Sequence, residues 1–286
     1  MNEAEQGVTT LKAWVGRTQT LKQTLDARSV ISMAATLGVD DLPTGEGAPL
    51  PPGWHWMMFT TFLPVSELAP DGLPKGGGFL PPVKDMGRMW AGGRVSWTRP
   101  MLVGTAFERK STIANVEVKE GRSGRLIIVT TRHEISDAHG LCMAEEQDVV
   151  FRKPPSPGAT PAAPPKAPDG AHWTRTVAPD PVLLFRFSAL TFNAHRIHFD
   201  HPYTTQVEKY PGLLVHGPLI ASFLLDTVRR QAKNRQLAKF SFRAISPLYD
   251  TAPFEVQGTI DGAACRVWAR NASGGLAMDA NGEFLA

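Results

Sequence analysis

Apolar residues recur along this chain at two periods. Leu21, Leu25, Val30, Met33, Ala34 and Leu37 fall near helical spacing and Gly38 follows as a stop, which predicts a helix early in the chain. A second helix is predicted over Pro218–Arg230, with proline in its first turn and two arginines in its last. Elsewhere the pattern shortens to the alternation of strands. It predicts strands at Arg94–Val103, Phe107–Lys119, Arg125–Glu134 and Leu141–Phe151, with turns at Glu120–Gly124 and Asp137–Gly140. A second set falls at Lys239–Ser246, Phe254–Ile260, Ala264–Ala269 and Leu276–Phe284, with turns at Asp261-Gly262 and Asn271–Gly275. Each half thus reads as a helix followed by strands.

Between the halves, Lys153–Ala171 is rich in proline and alanine and has no apolar periodicity. It reads as a stiff, extended linker. It divides the chain into an N-terminal unit, 1–152, and a C-terminal unit, 172–286. Ser96–Glu108 and Ser241–Glu255 run parallel in character: a strand, a bend with proline, a polar step, then Phe-Glu opening the next strand. The halves are expected to be a duplication of one unit, a long helix wrapped by an antiparallel sheet. That is an α+β tandem double hotdog. The first half carries an extra stretch rich in proline, glycine and tryptophan, from Pro43 to Gly93, which is expected to form loops.

Composition narrows the function classes. Of 286 residues, 42% are hydrophobic and the net charge is only +3, with lysine and arginine scattered rather than striped. That speaks against a nucleic-acid partner. No apolar run reaches the roughly 18 residues that span a bilayer, and Met1–Thr10 has none of the features of a secretory signal. The expectation is a cytoplasmic protein without a membrane partner. Cys142 and Cys265 lie in apolar strands and are expected to be buried free thiols.

The chemistry gathers in Phe187–Leu219, where four of the eight histidines fall: His195, His198, His201 and His216. Histidine titrates near neutrality and is the usual general base. The three-residue spacing of His195, His198 and His201 invites a metal, but Pro202 and the flanking aromatics point to a loop. No cysteine is near, so no metal is expected. Gly217, at the start of the predicted helix, places a backbone N–H where the helix dipole favours developing negative charge. Gly76-Gly77-Gly78 lacks the Gly-Lys-Ser/Thr ending of a phosphate loop and reads as a turn.

The run NAHRIH (Asn193–His198) followed by HG (His216-Gly217) resembles the hydratase motif of the MaoC-like, or (R)-specific enoyl-CoA hydratase, family. Together with YPGLLVHGPL, it is similar to the branch that holds the mesaconyl-C4-CoA (3-methylfumaryl-CoA) hydratases. Pro70–Gly93 and Lys119–His133 resemble that branch as well. The family's catalytic aspartate is Asn193 here, and its Asn-Pro pair is His195-Arg196. An amide can orient water but cannot take its proton. The resemblance implies a hydro-lyase acting on an α,β-unsaturated acyl-CoA, with no cofactor beyond the coenzyme A of the substrate, working as a homo-oligomer such as a dimer. It implies His198 as base, Asn193 as the orienting group and the Gly217 N–H as donor to the thioester oxygen, all in the C-terminal unit. The N-terminal unit, where nothing repeats NAHRIH, is expected to be a degenerate copy that helps form the acyl or CoA tunnel. Arg196, His195, Tyr203, His216, Arg88 and Trp90 are the expected substrate-binding residues. Two other readings stay open: a dehydratase of fatty 3-hydroxyacyl-ACP or -CoA, and a non-catalytic acyl-CoA-binding protein.

Overall fold

A computed structural model describes residues 10–83, 86–121, 124–153, 163–232 and 235–285. The middle of the expected linker and the tip of the turn at Glu120–Gly124 lie outside the described residues. The first strand, β1 (Thr18–Thr24), precedes the first helix, α1 (Ala27–Leu37). This corrects the expectation of a helix reaching back to Leu21. TQTLKQT is mostly polar and pairs edge-on with a later strand. α1 starts where Asp26 accepts hydrogen bonds from the Ser29 N–H and hydroxyl, and stops at Gly38, whose φ of 64° few other residues adopt.

Four long strands follow: β2 (Gly87–Trp97), β3 (Ala106–Gly121), β4 (Gly124–Asp137) and β5 (Gly140–Arg152). β2 lies earlier than the expected Arg94–Val103, because Pro100 cannot donate to a ladder. The second half also departs from helix first. β6 (Trp173–Val177) and a helix, α2 (Pro181–Leu190), come before the long helix α3 (Gly217–Ala232). α2 is capped by Asp180, which accepts from the Leu183 N–H, with Pro181 in its first turn. Strands β7 (Leu237–Ala244), β8 (Phe254–Asp261), β9 (Ala264–Arg270) and β10 (Leu276–Phe284) close the chain.

All ten strands form one sheet in the order β1-β3-β4-β5-β2-β7-β10-β9-β8-β6. Read outward from the β2–β7 seam, the two sides repeat. β5, β4, β3 and β1 on one side match β10, β9, β8 and β6 on the other. At the seam Gly93 pairs with Phe242 and Val95 with Phe240. α3 packs on β8, β9 and β10, and nearly all of its faces are buried. A helix apolar all round belongs in a core. α1 instead meets α2 and the short turn Trp54–Met57. Cys142 and Cys265 are free and buried, as expected. No helix among the described residues is long and apolar enough to cross a membrane.

Candidate active site

The motif loop follows α2. Asn193 Oδ1 accepts the His195 N–H at 3.0 Å, a local turn that fixes the amide. Its NH2 group then has no protein partner among the described residues. The Pro/Gly-rich stretch of the first half braces this loop. The Arg196 N–H donates to Asp71 O at 2.8 Å, and its Nη1 donates to Pro70 O at 3.0 Å. Gly72, at φ 88°, runs so close that a Cβ there would lie 1.7 Å from Ala194 O. Only glycine permits that approach.

His198 Nδ1 lies 2.8 Å from Leu214 O. A carbonyl only accepts, so Nδ1 carries the proton and Nε2 keeps its lone pair. Burial pushes the His198 pKa down to about 3, and the imidazole is neutral at neutral pH. The ring stacks on His216, centroids 3.7 Å apart and 18° from parallel, and meets His195 edge-on at 5.6 Å. His216 Nε2 lies 2.8 Å from Ser188 Oγ, while its Nδ1 is buried with no partner. Burial also keeps His216 and His195 neutral, the latter at about 4. The three rings form a neutral stack running from the motif loop to His216, the residue just before α3.

A cavity of about 440 Å³ opens at this helix start, between the two halves. Asn193, His216, Arg88 and Trp90 line it; His195, Arg196, His198, Tyr203 and Gly217 do not. Arg196 is bound to Asp200 at 2.8 Å and lies 4.0 Å from the Tyr203 ring centroid, and Tyr203 donates to Glu208. Those two side chains hold the motif loop together. Trp90 covers Gly217, where a Cβ would lie 2.6 Å from the indole. Trp90 in turn stacks on Phe242 at 4.5 Å and meets Trp56 edge-on. No cluster of potential metal ligands occurs among the described residues.

The far wall comes from the N-terminal half, and apart from Arg88 and Trp90 its residues were not singled out in the sequence. Glu145 is fully buried. Its Oε2 lies 3.1 Å from His55 Nε2 and its Oε1 accepts from Trp56 Nε1 at 2.8 Å. Burial alone would raise its pKa, but His55, His133 and Trp56 outweigh that and hold it at about 2. Beside it, Ser111 and His133 are hydrogen-bonded at 2.8 Å, and burial brings His133 down to about 4. Arg109 and Gln147 complete the wall with Arg88. The strand pattern carried a signal. Phe107-Arg109-Ser111-Ile113, Ile135-His133-Thr131-Val129 and Met143-Glu145-Gln147-Val149 each alternate inward, with polar residues at inward positions. Such positions are apolar unless a function claims them.

Solved structures show the fold. A MaoC-like dehydratase from Phytophthora capsici superposes at TM-score 0.69, with 15% identity, over 97% of this chain and 98% of that one. A Mycobacterium tuberculosis protein described as a double hotdog superposes at 0.59, with 13% identity, over 95% and 96%. The architecture is therefore a double hotdog. Residues 53–250 match the model of the hydroxyacyl-thioester dehydratase type 2 family, and the chain belongs to that family: it is a hydro-lyase of acyl thioesters. Over 274 residues it is 44% identical to the mesaconyl-C(4)-CoA hydratase of Chloroflexus aurantiacus, covering 95% of this chain and 97% of that protein.

Proposed function

We propose that this chain adds water reversibly to a short, branched dicarboxyl enoyl-CoA of the mesaconyl-C4-CoA kind. The observation that carries the reading is the identity of 44%, held over nearly the whole of both chains, to a hydratase named for that substrate. The cavity supports it, being lined by residues of both halves and set at the start of α3. The C-terminal unit, 172–286, supplies the catalytic residues, and the N-terminal unit, 1–152, supplies the acyl wall.

Hydration joins the water oxygen to Cβ and a proton to Cα. His198, whose ring stacks on the cavity-lining His216, takes the proton from water at its unprotonated Nε2 as the C–O bond forms. The π electrons move onto the thioester oxygen as an enolate. The Gly217 N–H, which has no acceptor within the helix, and the positive end of α3 stabilise that charge. Collapse of the enolate draws the proton from the imidazolium onto Cα, which restores the base. The NH2 of Asn193 holds the water by its oxygen and takes no proton. Arg88, Trp90 and His216 bound the bound ester, while His195, Arg196 and Tyr203 keep the loop in place.

The test is steady-state hydration of mesaconyl-C4-CoA and crotonyl-CoA by purified variants, with circular dichroism to confirm folding. His198→Ala should lose about 10²–10⁴-fold in kcat, the worth of a positioned base. Asn193→Ala should lose less, since only orientation goes. Near-normal kcat in folded His198→Ala would remove the base assigned here. Faster turnover of unbranched 3-hydroxyacyl thioesters would replace the substrate.

A further inference from the structure

Arg109 is a half-buried cation that makes no ion pair among the described residues. It lies on β3, facing into the cavity that Asn193 also lines. Its Nη2 reaches only the Phe59 carbonyl, at 3.3 Å, and its Nε is buried with no partner. Its guanidinium carbon lies 5.1 Å from the centroid of the Phe59 ring. The Glu145 carboxylate acts on it through space but makes no hydrogen bond to it, its two oxygens being engaged by His55 and Trp56. Across the layer, His133 is bonded to Ser111 rather than to any anion.

An unpaired charge in a protein interior is costly, and chains either neutralise or pair it. A guanidinium stays charged, and with no carboxylate hydrogen-bonded to it, its fork is open to an anion entering the cavity. Phe59 points the same way. It sits at φ 58°, a conformation L-residues avoid, with its N–H held by the Gln23 side chain. The backbone is constrained where its ring and carbonyl frame the guanidinium.

We propose that Arg109 reads the free carboxylate of the acyl group and so selects dicarboxyl over plain enoyl thioesters. In a mesaconyl-C4 thioester that carboxylate hangs on Cβ, the carbon that receives water. Its subsite must therefore share the cavity of the reacting atoms instead of ending a long tunnel, and Arg109 and Asn193 do share one cavity. The planar fork of the guanidinium matches a carboxylate's two oxygens. Fixing the carboxylate fixes Cβ in front of the water. This inference rests on the hydratase reading of the site and deepens it.

Saturated esters allow binding to be measured without turnover. Calorimetry would compare butyryl-CoA, the saturated counterpart of mesaconyl-C4-CoA, and free CoA, on wild type, R109M and R109K. Wild type should bind the carboxylate-bearing ester at least about 30-fold more tightly than butyryl-CoA, and R109M should shrink that ratio to below about threefold. R109K, which keeps the charge but not the fork, should fall between, and it supplies the answer if R109M does not fold. In kinetics the ratio of kcat/KM for mesaconyl-C4-CoA over crotonyl-CoA should collapse in parallel. Unchanged discrimination in folded variants would overturn the proposal. So would an equal loss for free CoA, which would place Arg109 on the coenzyme's phosphates. If wild type binds with the expected preference yet hydrates neither enoyl ester, the hydratase reading fails and the carboxylate subsite stands.

Discussion

The two halves of the sheet place equivalent strands around the seam, yet their inner faces differ. On the C-terminal side the cross-strand rows are Val256–Ala269–Met278, Gly258–Val267–Ala280 and Ile260–Cys265–Gly282, apolar throughout. On the N-terminal side the corresponding strands carry Ser111–His133–Glu145 and Ile113–Thr131–Gln147. The helices explain the contrast. α3 has 16 residues, about 24 Å at 1.5 Å per residue, and packs on three strands. α1 has 11, about 16 Å, and spends its contacts on α2 and the Trp54–Met57 turn. Where a long helix covers a sheet, the face becomes core. Where a short one leaves it open, the face becomes the wall of a cavity. One repeated strand plan thus yields an apolar, helix-covered face on one side and a polar, cavity-lining face on the other.

The sharpest break in this comparison is at the contact of the halves. Gly217→Ala drives a methyl into the Trp90 indole, so either the helix start or the N-terminal wall must shift. We expect kcat/KM to fall about tenfold to a hundredfold, or roughly 1.4–2.8 kcal/mol, with little loss of helix by circular dichroism. An unchanged rate would free Gly217 from the site.

A matched pair of isosteric changes tests the faces themselves. Val267 on β9 and Thr131 on β4 lie on equivalent strands of the two halves, and both are buried. Val267→Thr should cost about 1–3 kcal/mol in urea denaturation, because its hydroxyl has no partner in an apolar row. Thr131→Val should be neutral or stabilising by up to about 1 kcal/mol, since the Thr131 hydroxyl is itself unsatisfied. Equal losses at both positions would erase the distinction between core and wall.

The smallest effect is in pH. His198 is held near 3, and His195 and His133 near 4, in each case mainly by burial. The unfolded chain titrates these groups near 6.5, so below that pH it binds protons the folded chain refuses. Their contribution to stability is whole above 6.5 and is lost as pH falls toward 4. The melting temperature should drop by several degrees between pH 7 and pH 5. A flat profile would mean that these rings are solvated, and that the neutral stack does not exist.

Much of this was legible in the chain. The strands β3, β4, β5, β8, β9 and β10 follow their alternation closely, and α3 follows its apolar run between Gly217 and the arginines. The short elements escaped notice for physical reasons. β1 is an edge strand whose polar residues show no buried face, and α2 hides in a segment whose polar neighbours drew attention to the loop after it. The motif loop was visible because its histidines are dense in sequence. Arg109, His55 and Glu145 are scattered over some ninety residues; strand register brings Arg109 and Glu145 onto one face, and the Trp54–Met57 turn carries His55 to them. Their signal was the polar residue at an inward strand position, which becomes readable once the inward face is known.

The account's central claim is that the N-terminal wall holds the acyl group while the C-terminal loop acts on it. The most direct measurement is a crystal structure with the saturated counterpart of mesaconyl-C4-CoA bound. The account predicts the acyl carboxylate on the Arg109 guanidinium, the thioester oxygen toward the Gly217 N–H, and Cβ within reach of a water held by Asn193 and His198. An acyl group lying outside this cavity, or one whose carboxylate faces away from Arg109, would contradict it.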